Sequence, residues 1–531
     1  MMANVIGLDF GNCYSFPCFI SEIDLSKGRI GGIVHDLLPN GRNDGIPSVF
    51  FYSNKVQLNQ NSKPLPWCCE DAVRTAAKPQ KNRVRTLKRH LGEKLVLDDR
   101  TFTYDEAITQ VIQHCIRSAN KVLKAGYLTE TNLVSIAYPA TYTNAQKTRL
   151  IELVEKATLE NGEHLKVFGT IAEPAAAALD YLAEFAKSSA ETTVLTYDLG
   201  GGTFDLGLVA AYPKGRQNAS GHTYYYDIIN TDGINDLGGT EFDEVMYQIL
   251  LKKFGAVRKL SQGEKNILKT LSESTKIELS NNQEVYPEIY NADTGEYDEI
   301  TVTRAEFEEA ARPLLMRTII KTQEMLKNHQ NQRPEAILLT GGASQMPMVL
   351  NEMEKAFPEY RGKIIYYRPS RAIAYGAARY GTSEENSNPS TGSVIVQRTM
   401  YDLGIRFFEK DETEILYIDT YIKKGTEIPC QTEYRSSYTR SLQQRYSTFE
   451  VYEAKGDNPN KYKIDTDYTN IMAVKLDHGT PVPKGTESMT RLGIDALGRL
   501  TIEAYDVKNP NQKLKSSYTL KNLSSEKSSG G

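Results

Sequence analysis

The chain of 531 residues lacks a long apolar run and a surplus of charge of either sign, and it has only six cysteines. No uninterrupted apolar stretch reaches the ~18 residues of a transmembrane helix, so no such span is expected. Lys+Arg number 63 and Asp+Glu 67, a net charge of −4. That balance argues against the basic footprint of a nucleic-acid binder and against an acidic brush. Cys13, Cys18, Cys68, Cys69, Cys115 and Cys430 show no C-x-x-C pair and no zinc-type spacing, and read as reduced thiols of a cytoplasmic protein. The start, MMANVIGLDFG, has no basic-then-apolar layout of a secretion signal. What is present is 40% hydrophobic residues, material for real cores. The length suits roughly three domains of about 150 residues.

Two regimes follow one another. Up to about residue 381, strand-like segments (NVIGLDF, LVSIAYP, TVLTYDLG, EAILLTGG) alternate with helical ones, which predicts an α/β region. Thr303 to Glu306 forms a capping-box pattern ahead of a long helix, and Pro313 inside it predicts a kink or break. Asn144 is placed to cap a helix with Leu150, Ile151 and Val154 on its core face. Gly381 to Ser393 is polar and reads as a linker, followed by the apolar run Val394-Ile395-Val396. Beyond it, period-two alternation puts Phe449 with Val451, and Leu500 with Ile502 and Ala504, on single faces. Asp495 to Gly498 looks like a tight hairpin between two such runs. A compact antiparallel β domain is expected, with a small polar tail, Ser524 to Gly531, left disordered.

The chemistry-bearing feature is a repeated turn. Asp9-Phe10-Gly11 ends one strand, and Asp198-Leu199-Gly200-Gly201-Gly202-Thr203-Phe204-Asp205 ends another. Each places a carboxylate at a strand end and then glycine, which lets backbone N–H groups approach phosphate closely. A lone D-x-G is a common turn; two of them in strand context predict a clamp around a triphosphate. Gly341-Gly342-Ala343-Ser344 is a third such turn, placed to support the α-phosphate or nucleoside.

These segments, with RVRTLKRHLG (83–92), IAYPATYTNAQ (136–146), IAEPAAAALDYL (171–182), DLGGTEFD (236–243), LKTLSEST (268–275), AIAYGAA (372–378), YIKKGTEIP (421–429) and RLGIDALGRLTIEAYDV (491–507), occur in the order of one family. The chain resembles the seventy-kilodalton heat-shock chaperones, on the fold shared with actin and sugar kinases. The resemblance implies a two-lobed actin-like α/β ATPase domain of duplicated ribonuclease-H-like halves over 1–381, with lobe I at 1–190 and lobe II at 191–381. It further implies a linker at 382–397 and an all-β sandwich for peptide binding at 398–523. The tail at 524–531 is too short for the helical lid of longer relatives. ATP/ADP and Mg²⁺ are the implied cofactors, with K⁺ a further candidate. Asp9 and Asp198 would hold the Mg²⁺ shell. Lys88 would approach the γ-phosphate and attacking water, which Glu173, Asp205 and Asp198 orient. Gly11, Asn12, Cys13 and Tyr14 form the first phosphate turn; Gly200, Gly201, Gly202 and Thr203 form the second. Gly238, Gly239, Lys269 and Ser272 would border the nucleotide from lobe II, with Gly341, Gly342 and Ser344 in the third turn. Pro139 matches a proline that relays nucleotide state.

The chain departs from the family at telling places. Asn12 and Cys13 replace two threonines, and a thiol is a weak donor, so slower hydrolysis is expected. Gln345 replaces an adenine-stacking arginine. Gly169-Thr170-Ile171-Ala172 and Gln397 replace positions that engage J-domain co-chaperones in relatives, so altered or absent J-domain stimulation is expected. Two function classes follow. One is an ATP-dependent chaperone coupling hydrolysis through the linker to unfolded or extended polypeptide segments, its nucleotide exchange factor not named by the sequence. The other is a low-turnover nucleotide-binding regulator or scaffold with one dedicated protein partner. Neither needs a nucleic acid or a membrane.

Overall fold

The computed structural model describes residues 5–20, 33–39, 45–55, 66–75, 82–126, 128–187, 190–218, 221–385, 393–408, 415–456 and 458–517. The chain divides into two compact units. The first comprises Met1–Thr141, Lys156–Tyr226 and Thr231–Val394; the second comprises Tyr142–Glu155, Asp227–Asn230 and Ile395–Gly531.

In the first unit, one strand order occurs twice. Ile6–Phe10 pairs in parallel with Leu133–Tyr138, itself parallel to Lys166–Ala172, and antiparallel with Tyr14–Ile20, beyond which lies Val34–Asp36. Thr192–Leu199 likewise pairs in parallel with Ala336–Thr340, then Ile364–Tyr366, and antiparallel with Phe204–Asn218, followed by Gly221–Ile234. The central strands are buried along their whole length, which is why they read as near-continuous apolar runs rather than alternating ones. Both acidic turns therefore leave the carboxyl end of a central strand.

Helices Glu173–Phe185 and Ala372–Glu385 pack so closely that a Cβ at Gly376 would lie 1.8 Å from the Ala176 carbonyl oxygen. Only glycine fits there. The same interface buries an ion pair, Arg379 Nε to Asp180 Oδ1 at 2.7 Å. Two expectations change on this scaffold. Arg304–Asn328 is a single helix that runs through Pro313; the proline is exposed, so water can satisfy the carbonyl its missing N–H leaves open. Its start is capped by Thr303 Oγ1, which accepts from Glu306 N–H at 3.3 Å. The two ends of the expected linker lie in helix Ala372–Glu385 and strand Ser393–Arg398, and 386–392 lie outside the described residues.

In the second unit, Thr143 rather than Asn144 caps helix Asn144–Lys156, accepting from Gln146 N–H at 3.2 Å. Asn144 instead donates from its N–H and Nδ2 to Glu453 Oε2, at 3.0 and 2.8 Å. The rest is a pair of antiparallel sheets. One orders Leu416–Ile422, Leu403–Phe408, Gln444–Ala454 and Tyr468–Val482; the other orders Cys430–Gln431, Glu487–Ile494, Leu500–Asp506 and Asn509–Ser517. Phe449, Val451, Leu500, Ile502 and Ala504 all face their shared core, as their alternation implies. Gly498, at φ 74°, closes the hairpin that begins at Asp495, where its N–H donates to the Asp495 carbonyl at 2.8 Å. A buried chain ties the sheets together: Ser447 Oγ lies 2.9 Å from His478 Nε2, and His478 Nδ1 lies 2.8 Å from Asp506 Oδ2. The last residues of the expected β domain, 518–523, and the tail 524–531 lie outside the described residues. Among the described residues no helix is long and apolar enough to cross a membrane.

Candidate active site

A cavity of about 560 Å³ opens within the first unit, inside the size range of small-ligand sites. Three glycine turns converge on it. Asp9, Gly11, Asn12, Cys13 and Tyr14 line it from the first turn. Asp198, Gly200, Gly201 and Thr203 line it from the second, and Gly341 and Gly342 from the third. The turns interlock: a Cβ at Gly202 would sit 2.2 Å from Asn12 Nδ2, and one at Gly201 would sit 2.6 Å from Cys13 Sγ. Gly341 has φ +81° and abuts Asp198 and Leu199, a conformation and a closeness that exclude any side chain.

The electrostatics are lopsided. Asp9, Glu173, Asp198 and Asp205 are all buried, and one buried lysine, Lys88, faces them. Lys88 forms an ion pair with Glu173. Its basic run would by itself suit a solvated helix face. Thr86, in the left-handed region at φ 54°, opens the short turn Leu87–His90, in which Lys88 is buried. Asp198 and Asp205 stand directly opposite on antiparallel strands, a pairing that like charges destabilise. Oxygens of Glu173, Asp198 and Asp205 lie within 4.8 Å of one another. Burial, then Glu173, pushes Asp9 and Asp205 each up to about 7, and burial with the same neighbours pushes Asp198 well above the carboxylate range. Asp205 Oδ1 accepts from Ala140 N–H at 2.8 Å, next to Pro139, while its Oδ2 and the Asn12 Oδ1 are buried without a hydrogen-bond partner. Oxygen donors, surplus negative charge and unanswered acceptors fit a hydrated hard divalent cation.

Other expected residues stand beside the cavity or away from it. Glu173, Lys88 and Gly239 line it; Asp205 and Gly202 lie just behind its wall. Gly238 is packed against Gly202 and Thr203. Ser344 does not line the cavity; its Oγ accepts from Leu199 N–H at 3.2 Å and so braces the third turn. Lys269 and Ser272 do not reach it either. Lys269 is exposed, with Nζ 5.6 Å from the Tyr247 ring, and Ser272 donates to the Leu268 carbonyl at 2.6 Å. The same helix, Gln262–Asn281, lines the cavity further along, through Glu273, Lys276, Ile277 and Ser280.

Sequence reasoning missed a group of ion-pairing cations, Arg85 and Arg89 from the basic run 83–89 and Lys276 from helix Gln262–Asn281. Arg89 Nε donates to the Gly202 carbonyl at 2.7 Å, and its guanidinium grips Glu241 at 2.7 Å. Arg85 pairs with Glu273 and Lys276 with Asp243, both at 2.6 Å. The signal was the basic run 83–89 itself, whose partners are far away in sequence. Cys13 and Gln345 both line the cavity. Burial, then Glu273, raises the Cys13 thiol to about 11, so it is neutral at physiological pH. A sequence model of one protein family, described as Hsp70 protein, matches residues 78–529.

Proposed function

Since the chain belongs to the Hsp70 family, whose members are ATPases with chaperone function, we propose that it hydrolyses ATP in the cavity described above and uses that cycle to bind protein segments through its β region. The observation that carries this reading is the set of four buried carboxylates sharing one buried lysine at the meeting point of three glycine turns. On this reading the first unit is an actin-like ATPase domain, and its repeated strand order reflects two related halves.

Each residue then has a task. Backbone N–H groups of the Asn12–Tyr14 and Gly201–Thr203 turns cradle the β- and γ-phosphates of ATP. Asp9 and Asp198 would hold Mg²⁺ through its waters, and the ion would supply neutralisation of phosphate charge. Lys88 Nζ places positive charge where charge develops on the γ-phosphoryl group. Glu173 and Asp205 orient the attacking water, and a carboxylate oxygen of one of them takes its proton. Ser280, Ile277 and Gln345 border the space left for the nucleoside. Phosphoryl transfer to water needs positioning and charge more than covalent help, and that is what this set offers.

The low-turnover regulator remains the second reading, favoured by the neutral Cys13 thiol in the first phosphate turn. At Gly169, on the strand Lys166–Ala172, a Cβ would meet the Tyr380 ring at 2.8 Å, so no side chain can extend there toward a co-chaperone. This supports weak J-domain stimulation. Single-turnover ATP hydrolysis, with and without an unfolded polypeptide, separates the readings. Under the ATPase reading, Lys88→Ala slows the chemical step by about 100-fold or more while ATP still binds. Tight ATP binding with no Lys88-dependent turnover would establish the regulator instead.

A further inference from the structure

Away from the nucleotide cavity, the fold gathers thiols that lie far apart in the chain. Cys68 ends the two-residue strand Trp67–Cys68, Cys69 starts helix Cys69–Thr75, and His114 and Cys115 lie midway along helix Tyr104–Ala125. Ligand atoms of Cys68, Cys69 and His114 all lie within 4.8 Å of one another. Cys68 Sγ also lies 3.8 Å from the Gln110 carbonyl oxygen, and Cys115 is buried next to His114 on the same helix. None of these cysteines is in a disulfide.

Successive strand residues point to opposite faces, so two adjacent cysteines would ordinarily diverge. Here Cys69 takes φ 55°, in the left-handed region, and the alternation is broken. Both sulfurs then face His114. The imidazole is oriented from behind: its Nε2 lies 2.9 Å from Glu70 Oε2, which leaves Nδ1 as the nitrogen on the thiol side. A carboxylate behind a histidine, fixing its tautomer and ring, is the usual outer partner of a metal-ligating imidazole.

We propose that Cys68, Cys69 and His114 supply three donors of a site for a soft divalent ion of the zinc class, with a water completing the tetrahedron. Thiolate and imidazole donors select such an ion over Mg²⁺ or Ca²⁺. Bond lengths of about 2.3 Å to sulfur and 2.0–2.1 Å to nitrogen give tetrahedral edges of about 3.6–3.8 Å, and the three donor atoms already lie within 4.8 Å of one another. The vicinal cysteines are poor disulfide partners. Consecutive Cα atoms stand about 3.8 Å apart, below the usual disulfide span of about 4.4–6.8 Å. The location also calls for a staple. Helix Cys69–Thr75 has 7 residues, too short to stand alone. The described apolar cluster beneath it is Val49, Phe51 and Ala72, with Trp67 against it. A bound ion would fasten this short strand and helix to the long helix Tyr104–Ala125.

The test uses the full chain, purified under reducing conditions and loaded with Zn²⁺ or Co²⁺ alone. About one equivalent of zinc should survive dialysis against a weak competing chelator. The cobalt form should show thiolate-to-metal charge transfer and the intense visible bands of a tetrahedral site. Cys68→Ser and His114→Gln should each lower the retained zinc at least about tenfold, while Cys430→Ser leaves it unchanged and all three variants still bind ATP. Substoichiometric zinc in the parent chain, an octahedral cobalt spectrum, or equal zinc in Cys68→Ser and the parent would each overturn the proposal. So would a Cys69–Cys115 disulfide, found by peptide mass mapping, as the resting state.

Discussion

The carboxylate-lined cavity and the β-sandwich both bury ionisable groups, and they treat them in opposite ways. In the sandwich, His478 is held between Ser447 and Asp506, and Arg491 grips Glu503 at 2.7 Å with Tyr434 donating to the same carboxylate at 2.8 Å. These groups answer one another, so the polar chain acts as a joint between sheets. In the cavity, four carboxylates share Lys88, and two of them face each other across a strand pair. Within that set, Lys88 is ion-paired with Glu173. Matched buried charge marks architecture, whereas unmatched buried charge marks the place where a ligand completes the structure.

Substitutions that remove one charge from each region sharpen this contrast, because the two regions should respond with opposite signs. The largest effect is expected for Asp198→Asn. Removing one of the mutually repelling carboxylates should raise the melting temperature of the magnesium-free chain. It should also weaken Mg²⁺-dependent ATP binding by about 100-fold, the loss of a few kcal/mol of charge stabilisation; calorimetric titration with and without Mg²⁺ reads both. A fall in both quantities would break the comparison. Asp506→Ala should do the reverse in the sandwich. It strips the partner from a buried imidazole nitrogen and should lower stability by about 1–3 kcal/mol, read as an earlier denaturant transition with ATP affinity unchanged. The smallest effect is expected for Cys13→Thr. Gaining one neutral hydroxyl donor at the phosphate turn, worth about 0.5–1.5 kcal/mol, should speed single-turnover hydrolysis by about two- to tenfold. An unchanged or slower rate would mean that the thiol does not limit the chemistry.

Much of this was legible in the chain. The central strands Ile6–Phe10 and Thr192–Leu199, and the acidic glycine turns after them, are contiguous in sequence, so local patterning was sufficient to find them. The β region announced itself through Phe449, Val451, Leu500, Ile502 and Ala504, because a half-buried strand must alternate. Helix faces were legible too, but not how a helix slides along its axis. Lys269 and Lys276 are close to two turns apart and so share a face; helical periodicity cannot choose between residues separated by about 10 Å along that axis. Docking chose Lys276.

What the sequence determined alone is the set of central strands and glycine turns, since each depends on neighbours within a few residues. Tertiary structure decided which charges are buried and whom they meet. Lys88 became a buried partner of Glu173 instead of a surface cation, Arg89 reached Gly202, and Cys68 and Cys69 met His114 across the fold. The physical reason is that burial and charge depend on distance in space, and these pairs are joined only when separate elements pack together.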